Sequence, residues 1–139
     1  MAIWQFDFQL VYKSEYSNSN FLNILPSSIL QLSLALPPHK SWDDDIIILG
    51  DPDATCIEFC YIDSKIVEIL VRLHVEELSP NIVDAITQFA SSNQLYILSL
   101  PDERIMECTP NNIRELVLLS RAYQYLKNPS KYLDNINDD

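Results

Sequence analysis

The first segment of the chain alternates between apolar and polar residues. Its apolar positions are Trp4, Phe6, Phe8, Leu10 and Tyr12. Positions 5, 7 and 9 between them are polar. Because successive side chains of a strand point to opposite faces of a sheet, this period of two predicts a half-buried strand over residues 4–12.

Alternation also predicts a β-hairpin in the middle of the chain, because odd positions are apolar in 57–61 and again in 67–75. A two-residue loop at Asp63-Ser64 would place the two apolar sets on opposite faces of the sheet. A three-residue loop that includes Lys65 keeps them on one face. Since register follows the buried face, the pattern favours the three-residue loop. This register pairs Ile62 with Ile66, Phe59 with Ile69, and Ile57 with Val71.

Three helices and three further strands complete the predicted elements. Apolar residues at helical spacing predict a helix at about 27–36, where Pro26 interrupts the pattern and Ser27 caps a new start. Ser79-Pro80 and Thr109-Pro110 each combine a capping residue with proline at the first helical position, and the second of these helices is expected to end at 127–129. The remaining predicted strands are 46–49, 95–100 and 104–107.

These elements predict a single α+β domain over residues 1–128, followed by a polar acidic tail at 129–139. Strands dominate the first part of the domain and helices the second. This order favours a mainly antiparallel sheet of five or six strands, with two or three helices packed mostly on one face. The 139 residues are 47% hydrophobic, which suffices for a core without metals or disulfides.

Charge and motif content exclude several classes of function. The formal net charge is −11, which argues against binding to nucleic acids or anionic membranes, since both need clustered positive charge. Gly50 is the only glycine, so the glycine-rich nucleotide and nucleophile motifs are absent. The apolar runs are too short for a membrane span, and residues 1–12 do not form a signal peptide. Three cysteines, an odd and sparse set, fit reduced thiols in a cytoplasmic protein.

An aspartate cluster beside Trp42 is the first candidate site. Its members are Asp43, Asp44, Asp45, Asp51 and Asp53. A calcium loop starting at Asp43 fails, because Ile47 and Ile48 stand where a ligand and a glycine belong. We therefore expect no metal and no cofactor. The cluster is either a solvated loop or a partner-binding surface, in which Trp42 anchors an interface with a charged rim.

The even-numbered face of the hairpin is the second candidate site. It carries Glu58, Cys60, Glu68, Arg72 and His74. The register places Cys60 opposite Glu68, with Glu58 diagonal to Arg72. Cys56 and Cys60 share a strand face about 13 Å apart and cannot hold one zinc ion together. His74 beside a cysteine would be a general base for a thiolate, but a solvated or salt-paired histidine is the simpler interpretation. The face itself is covered, exposed or the edge of a dimer interface.

Three segments carry a resemblance to a known class of protein. They are the opening Ile3-Trp4-Gln5-Phe6-Asp7-Phe8, the acidic loop Trp42-Asp43-Asp44-Asp45, and the strand-plus-helix ending Arg104–Leu133. With the small size, the scarcity of glycine and the acidic charge, they are similar to immunity proteins of bacterial polymorphic-toxin and contact-dependent inhibition systems. The resemblance implies a non-enzymatic protein that binds and blocks a cognate toxin, often a basic nuclease.

Three hypotheses of function follow. The first is an inhibitor that binds a basic toxin domain through the six residues Trp42–Asp45, Asp51 and Asp53, since opposite charge accelerates association. The second is a small enzyme or ligand-binding domain that uses the even face of the hairpin. The third is a structural or assembly subunit, and a homodimer is compatible with the sequence.

Overall fold

The structure of this chain is a computed structural model that describes residues 5–13, 21–99 and 103–120. Within these residues seven antiparallel strands form one sheet in the order β2-β3-β4-β5-β1-β6-β7. The strands are β1 (Gln5–Tyr12), β2 (Pro38–His39), β3 (Ile46–Gly50), β4 (Cys56–Ile62), β5 (Lys65–His74), β6 (Leu95–Ser99) and β7 (Arg104–Glu107). The helices are α1 (Pro26–Ser33), α2 (Pro80–Ser92) and α3 (Pro110–Leu119).

The α+β class is therefore confirmed, and each of the six predicted strands is present. The seventh, β2, has only two residues and was not predicted. The expected tail at 129–139 and the ends of the predicted domain lie outside the described residues. Among the described residues, no helix is long and apolar enough to cross a membrane.

One face of the sheet forms the hydrophobic core with the three described helices. In β1, Phe8 and Leu10 point to this side, as the alternation predicts, and both are fully buried. The core also takes Phe59 from β4 and Ile69 from β5, and the Phe59 ring meets Phe89 of α2 edge to face at 5.8 Å between centroids. We call this the helix side of the sheet and the opposite side the outer face.

The β4–β5 hairpin has the predicted register in its body but not the predicted loop. Phe59 lies opposite Ile69 and Cys60 opposite Glu68, as expected. The loop has two residues, however, and Asp63 and Ser64 both have positive φ, as a two-residue hairpin turn of the primed type requires. A β-bulge at Val67 then shifts the register by one residue, so the apolar residues still reach one face.

The helix starts follow the local sequence closely. The Ser79 hydroxyl accepts a hydrogen bond from the Ile82 N–H, and the Thr109 hydroxyl accepts one from Asn112. In α1 the predicted start is right to within one residue, but the helix ends at Ser33 rather than near 36, and Leu25 rather than Ser27 is its N-cap. Pro26 begins this helix rather than interrupting it, because proline fits the first turn, where its missing N–H is not needed.

The third helix is shorter than predicted. It ends at Leu119 because Ser120 has an extended backbone, with φ −73° and ψ 153°. Leu119, its last residue, is exposed. The remaining predicted positions, 121–129, lie outside the described residues.

Gly50 closes β3 and begins the turn that leads into β4. Its φ is +93°, and a Cβ at this position would lie 2.4 Å from the Thr55 carbonyl oxygen. Its N–H donates to the Pro37 carbonyl at 2.7 Å, which ties the short β2 region to the end of β3. Glycine is therefore required here by both backbone conformation and space.

Candidate partner-binding surface

The outer face is the sheet surface opposite the described helices. On the central strands β1, β4 and β5 it is formed by alternate residues: Gln5, Asp7, Gln9, Cys56, Glu58, Cys60, Glu68, Leu70, Arg72 and His74. None of these ten residues belongs to the core cluster that the described helices form with the sheet. The sequence prediction that the polar hairpin positions share one face is therefore confirmed.

An ion pair occupies the middle of the outer face. Arg72 Nε donates to Asp7 Oδ1 at 3.1 Å and Arg72 Nη2 donates to Asp7 Oδ2 at 3.2 Å, so the carboxylate is held in two places. Glu58 Oε1 lies 4.0 Å from Arg72 Nη1 on the other side. The hydrogen bonds that Arg72 donates to Asp7 raise the pKa of Arg72, and its partial burial offsets only part of this rise. The single guanidinium is thus shared between two carboxylates.

Carboxylates also surround the thiol of Cys60. Glu68 lies opposite it and accepts a hydrogen bond from Gln9 Nε2 at 2.8 Å. Partial burial raises the pKa of Cys60, and the charges of Glu68, Glu58 and Asp43 raise it further. Of the charges that act on this thiol, Glu58 and Glu68 belong to the second candidate site and Asp43 to the first.

The Asp43–Asp45 segment borders one end of the outer face. The Asp43 carboxylate accepts the Asp45 N–H at 2.8 Å and thereby folds the segment into a tight turn. Asp44 and Asp45 are exposed, and the Asp45 carbonyl accepts the Tyr61 N–H at 2.8 Å. Trp42 is 83% exposed. Exposed Ile62 lies at the same end, at the hairpin tip, where Lys65 Nζ sits 4.4 Å from the Phe21 ring centre.

The other two predicted aspartates border the opposite end. The Asp51 carboxylate accepts the Asp53 N–H at 2.9 Å, which forms a second turn of the same kind. The buried Gln5 side chain donates to the carbonyls of Pro52 and Ala54 at 3.0 and 2.8 Å. Since Gln5 belongs to the outer face, these bonds hold the Asp51–Asp53 turn against that end of it.

The five aspartates are consequently not one cluster. The β3 strand separates Asp45 from Asp51 by six residues, roughly 20 Å at about 3.3 Å per residue. Among the residues that the structure describes, no three histidine, cysteine or acidic side chains are placed to share a metal ion. The arrangement is an outer face with acidic groups at its centre and at both ends.

Within the described part of the chain, the outer face does not bring a histidine beside a reactive thiol. His74 is six residues beyond Glu68 on β5, again roughly 20 Å away from Cys60. Cys56 is closer to His74, but it is fully buried and this burial raises its pKa to about 12. A nucleophilic thiol needs the opposite shift. Burial likewise raises the pKa of Cys108 to about 12.

Three cavities bordered by described residues lie away from the ten outer-face residues of the central strands. One of about 550 Å³ lies between α1 and α2, and one of about 730 Å³ lies between α2, β6 and the end of β1. A third, of about 390 Å³, lies beside Gly50 and Thr55. None of these three is lined by the five hairpin residues of the second candidate site.

Sequence reasoning missed three contributors to this surface, which are Gln5, Asp7 and Gln9. The alternation does place them on one face of β1. The alternation does not indicate that β1 lies beside β5, and the contacts of these three residues depend on that pairing of strands. The order of strands in the sheet is the signal that was lacking.

Comparison of the chain with protein-family models, with curated proteins and with solved structures finds no match.

Proposed function

We propose that this chain is a non-enzymatic cytoplasmic protein that binds a basic protein partner through its outer face. The partner class that fits best is a toxin domain with a positively charged substrate groove. In this proposal the chain acts as the immunity protein that blocks that groove, as the resemblance to immunity proteins of polymorphic-toxin and contact-dependent inhibition systems implies.

One observation carries the proposal: the acidic groups of the outer face lie at its centre and at both ends. Asp7, Glu58 and Glu68 share the central strands with a single arginine, Arg72. Arg72 is already engaged by Asp7 and Glu58, so it adds little positive potential for a partner to meet. A surface of this kind attracts a basic groove over distances up to a Debye length, about 10 Å at moderate salt.

The composition of one end fits an interface anchor. Trp42 and Ile62 are exposed apolar side chains next to the Asp43–Asp45 turn. Protein interfaces commonly combine an aromatic anchor with a charged rim, and most of the binding energy resides in a few such anchors. We therefore assign affinity mainly to Trp42 and speed of association mainly to the carboxylates.

The test is co-expression with the product of the neighbouring open reading frame, because genes for toxins and immunity proteins are adjacent. The association rate and Kd of the purified pair are measured at low and high salt. We expect a one-to-one complex whose association rate falls with salt. Absence of a complex at both salt concentrations would contradict the proposal.

Matched substitutions locate the contact. Glu68→Gln removes one charge from the outer face, and Glu115→Gln removes one from the exposed side of α3. We expect the first to slow association and the second to leave it unchanged. Two further variants, Asp44→Asn with Asp45→Asn and Asp51→Asn with Asp53→Asn, compare the two ends. Equal effects of Glu68→Gln and Glu115→Gln would show that the outer face is not the contact.

A further inference from the structure

The outer face continues from the central strands onto β6 and β7. In an antiparallel sheet, residues directly opposite each other lie on the same face. Gln9 of β1 lies opposite Leu98 of β6, and Leu98 lies opposite Ile105 of β7. Val11 and Tyr96 form the next pair of β1 and β6 on this face. These four apolar residues, Val11, Tyr96, Leu98 and Ile105, therefore lie on the outer face, and we call them its apolar half.

The apolar half lies outside the hydrophobic core. Its four side chains are each half-buried, and none of them belongs to the core cluster or packs against it. Tyr96 and Leu98 are neighbours on one face of β6, and this strand carries no charged residue. Apolar side chains that are contiguous on a surface, rather than scattered singly, mark sites of interaction. The apolar half is therefore a candidate for contact with another molecule.

Charge divides the outer face into two parts. On β1, β4 and β5 it carries three carboxylates beside the single Arg72, and we call these three residues the acidic half: Asp7, Glu58 and Glu68. The apolar half is bordered by one charge of each sign. Lys13 Nζ lies 5.5 Å from the Tyr96 ring centre, and Glu107 lies opposite Tyr96. Since these two charges offset each other, a basic groove is attracted to the acidic half rather than to the apolar half.

The acidic half is too narrow for a whole interface. Its three strands, about 4.8 Å apart, span about 14 Å across the sheet. A standard interface takes about 800 Å² from each partner, which corresponds to a patch more than about 20 Å wide. On the β3 side the residue opposite Glu58 is Ile48, which is buried and offers little contact area. On the other side β6 and β7 add about 10 Å of half-buried apolar surface, which a partner seated on the acidic half therefore reaches.

We propose that the basic partner carries an apolar surface beside its positively charged groove, and that this surface packs on the apolar half of the outer face. This inference rests on the proposed function and adds the orientation of the partner. The groove faces β4 and β5, while the apolar surface faces β6 and β7. The reverse orientation places the cations of the groove over side chains that cannot neutralise them. Trp42, which precedes β3, and the apolar half then contact the partner on either side of the acidic half.

Binding kinetics of the complex with the product of the neighbouring open reading frame test the proposal. Leu98→Gln keeps a side chain of similar size but removes its apolar character. We expect the dissociation rate constant to rise at least about tenfold and the association rate constant to change by less than about twofold, because apolar contacts form after charges have steered the encounter. Glu68→Gln should do the reverse and mainly slow association. Leu119→Gln is the matched control and should change neither rate, since Leu119 is an exposed leucine of α3 on the helix side.

Cooperative melting followed by circular dichroism shows whether Leu98→Gln is folded, and if it is not, Ile105→Thr takes its place, because threonine suits a strand. A complex whose association is slowed by Glu68→Gln but whose dissociation is unchanged by the apolar-half variant would overturn this proposal and leave the proposed function intact. Absence of any complex would contradict both. A free chain that is dimeric in sedimentation velocity, and that the same variant makes monomeric, would place a second copy on the apolar half and would also overturn the proposal.

Discussion

The two faces of the sheet are made from alternate residues of the same strands, yet they obey different rules. The helix side is continuous and apolar, and Phe8, Phe59 and Ile69 have no exposed surface. The outer face combines leucine with carboxylates, amides, thiols and one arginine. On the helix side packing decides which residue fits, whereas on the outer face charge and hydrogen bonds decide.

The difference separates stability from recognition. Burial of the helix side supplies the main driving force for folding, at about 25 cal/mol per Å² of apolar surface. The half-buried ion pair of Asp7 and Arg72 adds less, since pairs near the surface contribute roughly 0–1 kcal/mol. The outer face can therefore change its charges at small cost to the fold, which suits a surface that must match a particular partner.

Adjacent residues Phe59 and Cys60 give the sharpest test of this contrast, because they point to opposite faces. Phe59→Ala removes a fully buried ring and its edge-to-face contact with Phe89. We expect it to lower the free energy of unfolding by about 3–5 kcal/mol. Cys60→Ala should cost well under about 1 kcal/mol, as substitutions away from the core usually do. Urea denaturation followed by circular dichroism measures both.

If Phe59→Ala leaves too little folded protein, Phe59→Leu gives a smaller loss in the same direction. Similar losses for the Phe59 and Cys60 variants would mean that the two faces are not distinct in their contribution to stability.

The helix side was predictable from the sequence, because apolar residues at every second position of a strand all point to the same side of the sheet. The same reasoning found the register of Phe59 with Ile69, even though it chose the wrong loop. The chain combines a two-residue turn with a bulge at Val67. This arrangement places the same residues in the core as the predicted three-residue loop would. Periodicity thus determines which side is buried, but it does not determine how the chain turns.

The outer face was predictable only in part. Its hairpin residues follow from the alternation within β4 and β5. The partner of Arg72 does not, because Asp7 is 65 residues away and reaches it only when β1 lies beside β5. Similarly, Asp45 and Asp51 are close in sequence but are held apart by an extended strand. Proximity along the chain was a poor guide to proximity in space at both places.

A double-mutant cycle on Asp7 and Arg72 tests the centre of the outer face. Asp7→Asn keeps the shape of the side chain and removes its charge, while Arg72→Met keeps most of its length. We expect each single variant to lose up to about 1 kcal/mol and the double variant to lose less than their sum. Additive losses in urea denaturation would show that the two residues do not stabilise the fold as a pair.

The smallest expected effect is a change in the rate at which Cys60 is alkylated. This rate reports on the local charge around the thiol and does not require a change in the fold. The thiolate is the reactive form, so the raised pKa of Cys60 predicts slow reaction with iodoacetamide near pH 8 and faster reaction as pH rises. Glu68→Gln removes one of the charges that raise this pKa, which should increase the thiolate fraction and the rate at pH 8.

Mass spectrometry of the modified chain assigns the reaction to Cys60, since Cys56 and Cys108 are buried and should react only after unfolding. Glu115→Gln serves as the control and should leave the rate unchanged. If Glu68→Gln leaves the rate at pH 8 unchanged as well, the carboxylates do not act on the outer face as a group. The contrast between the two faces would then rest on packing alone.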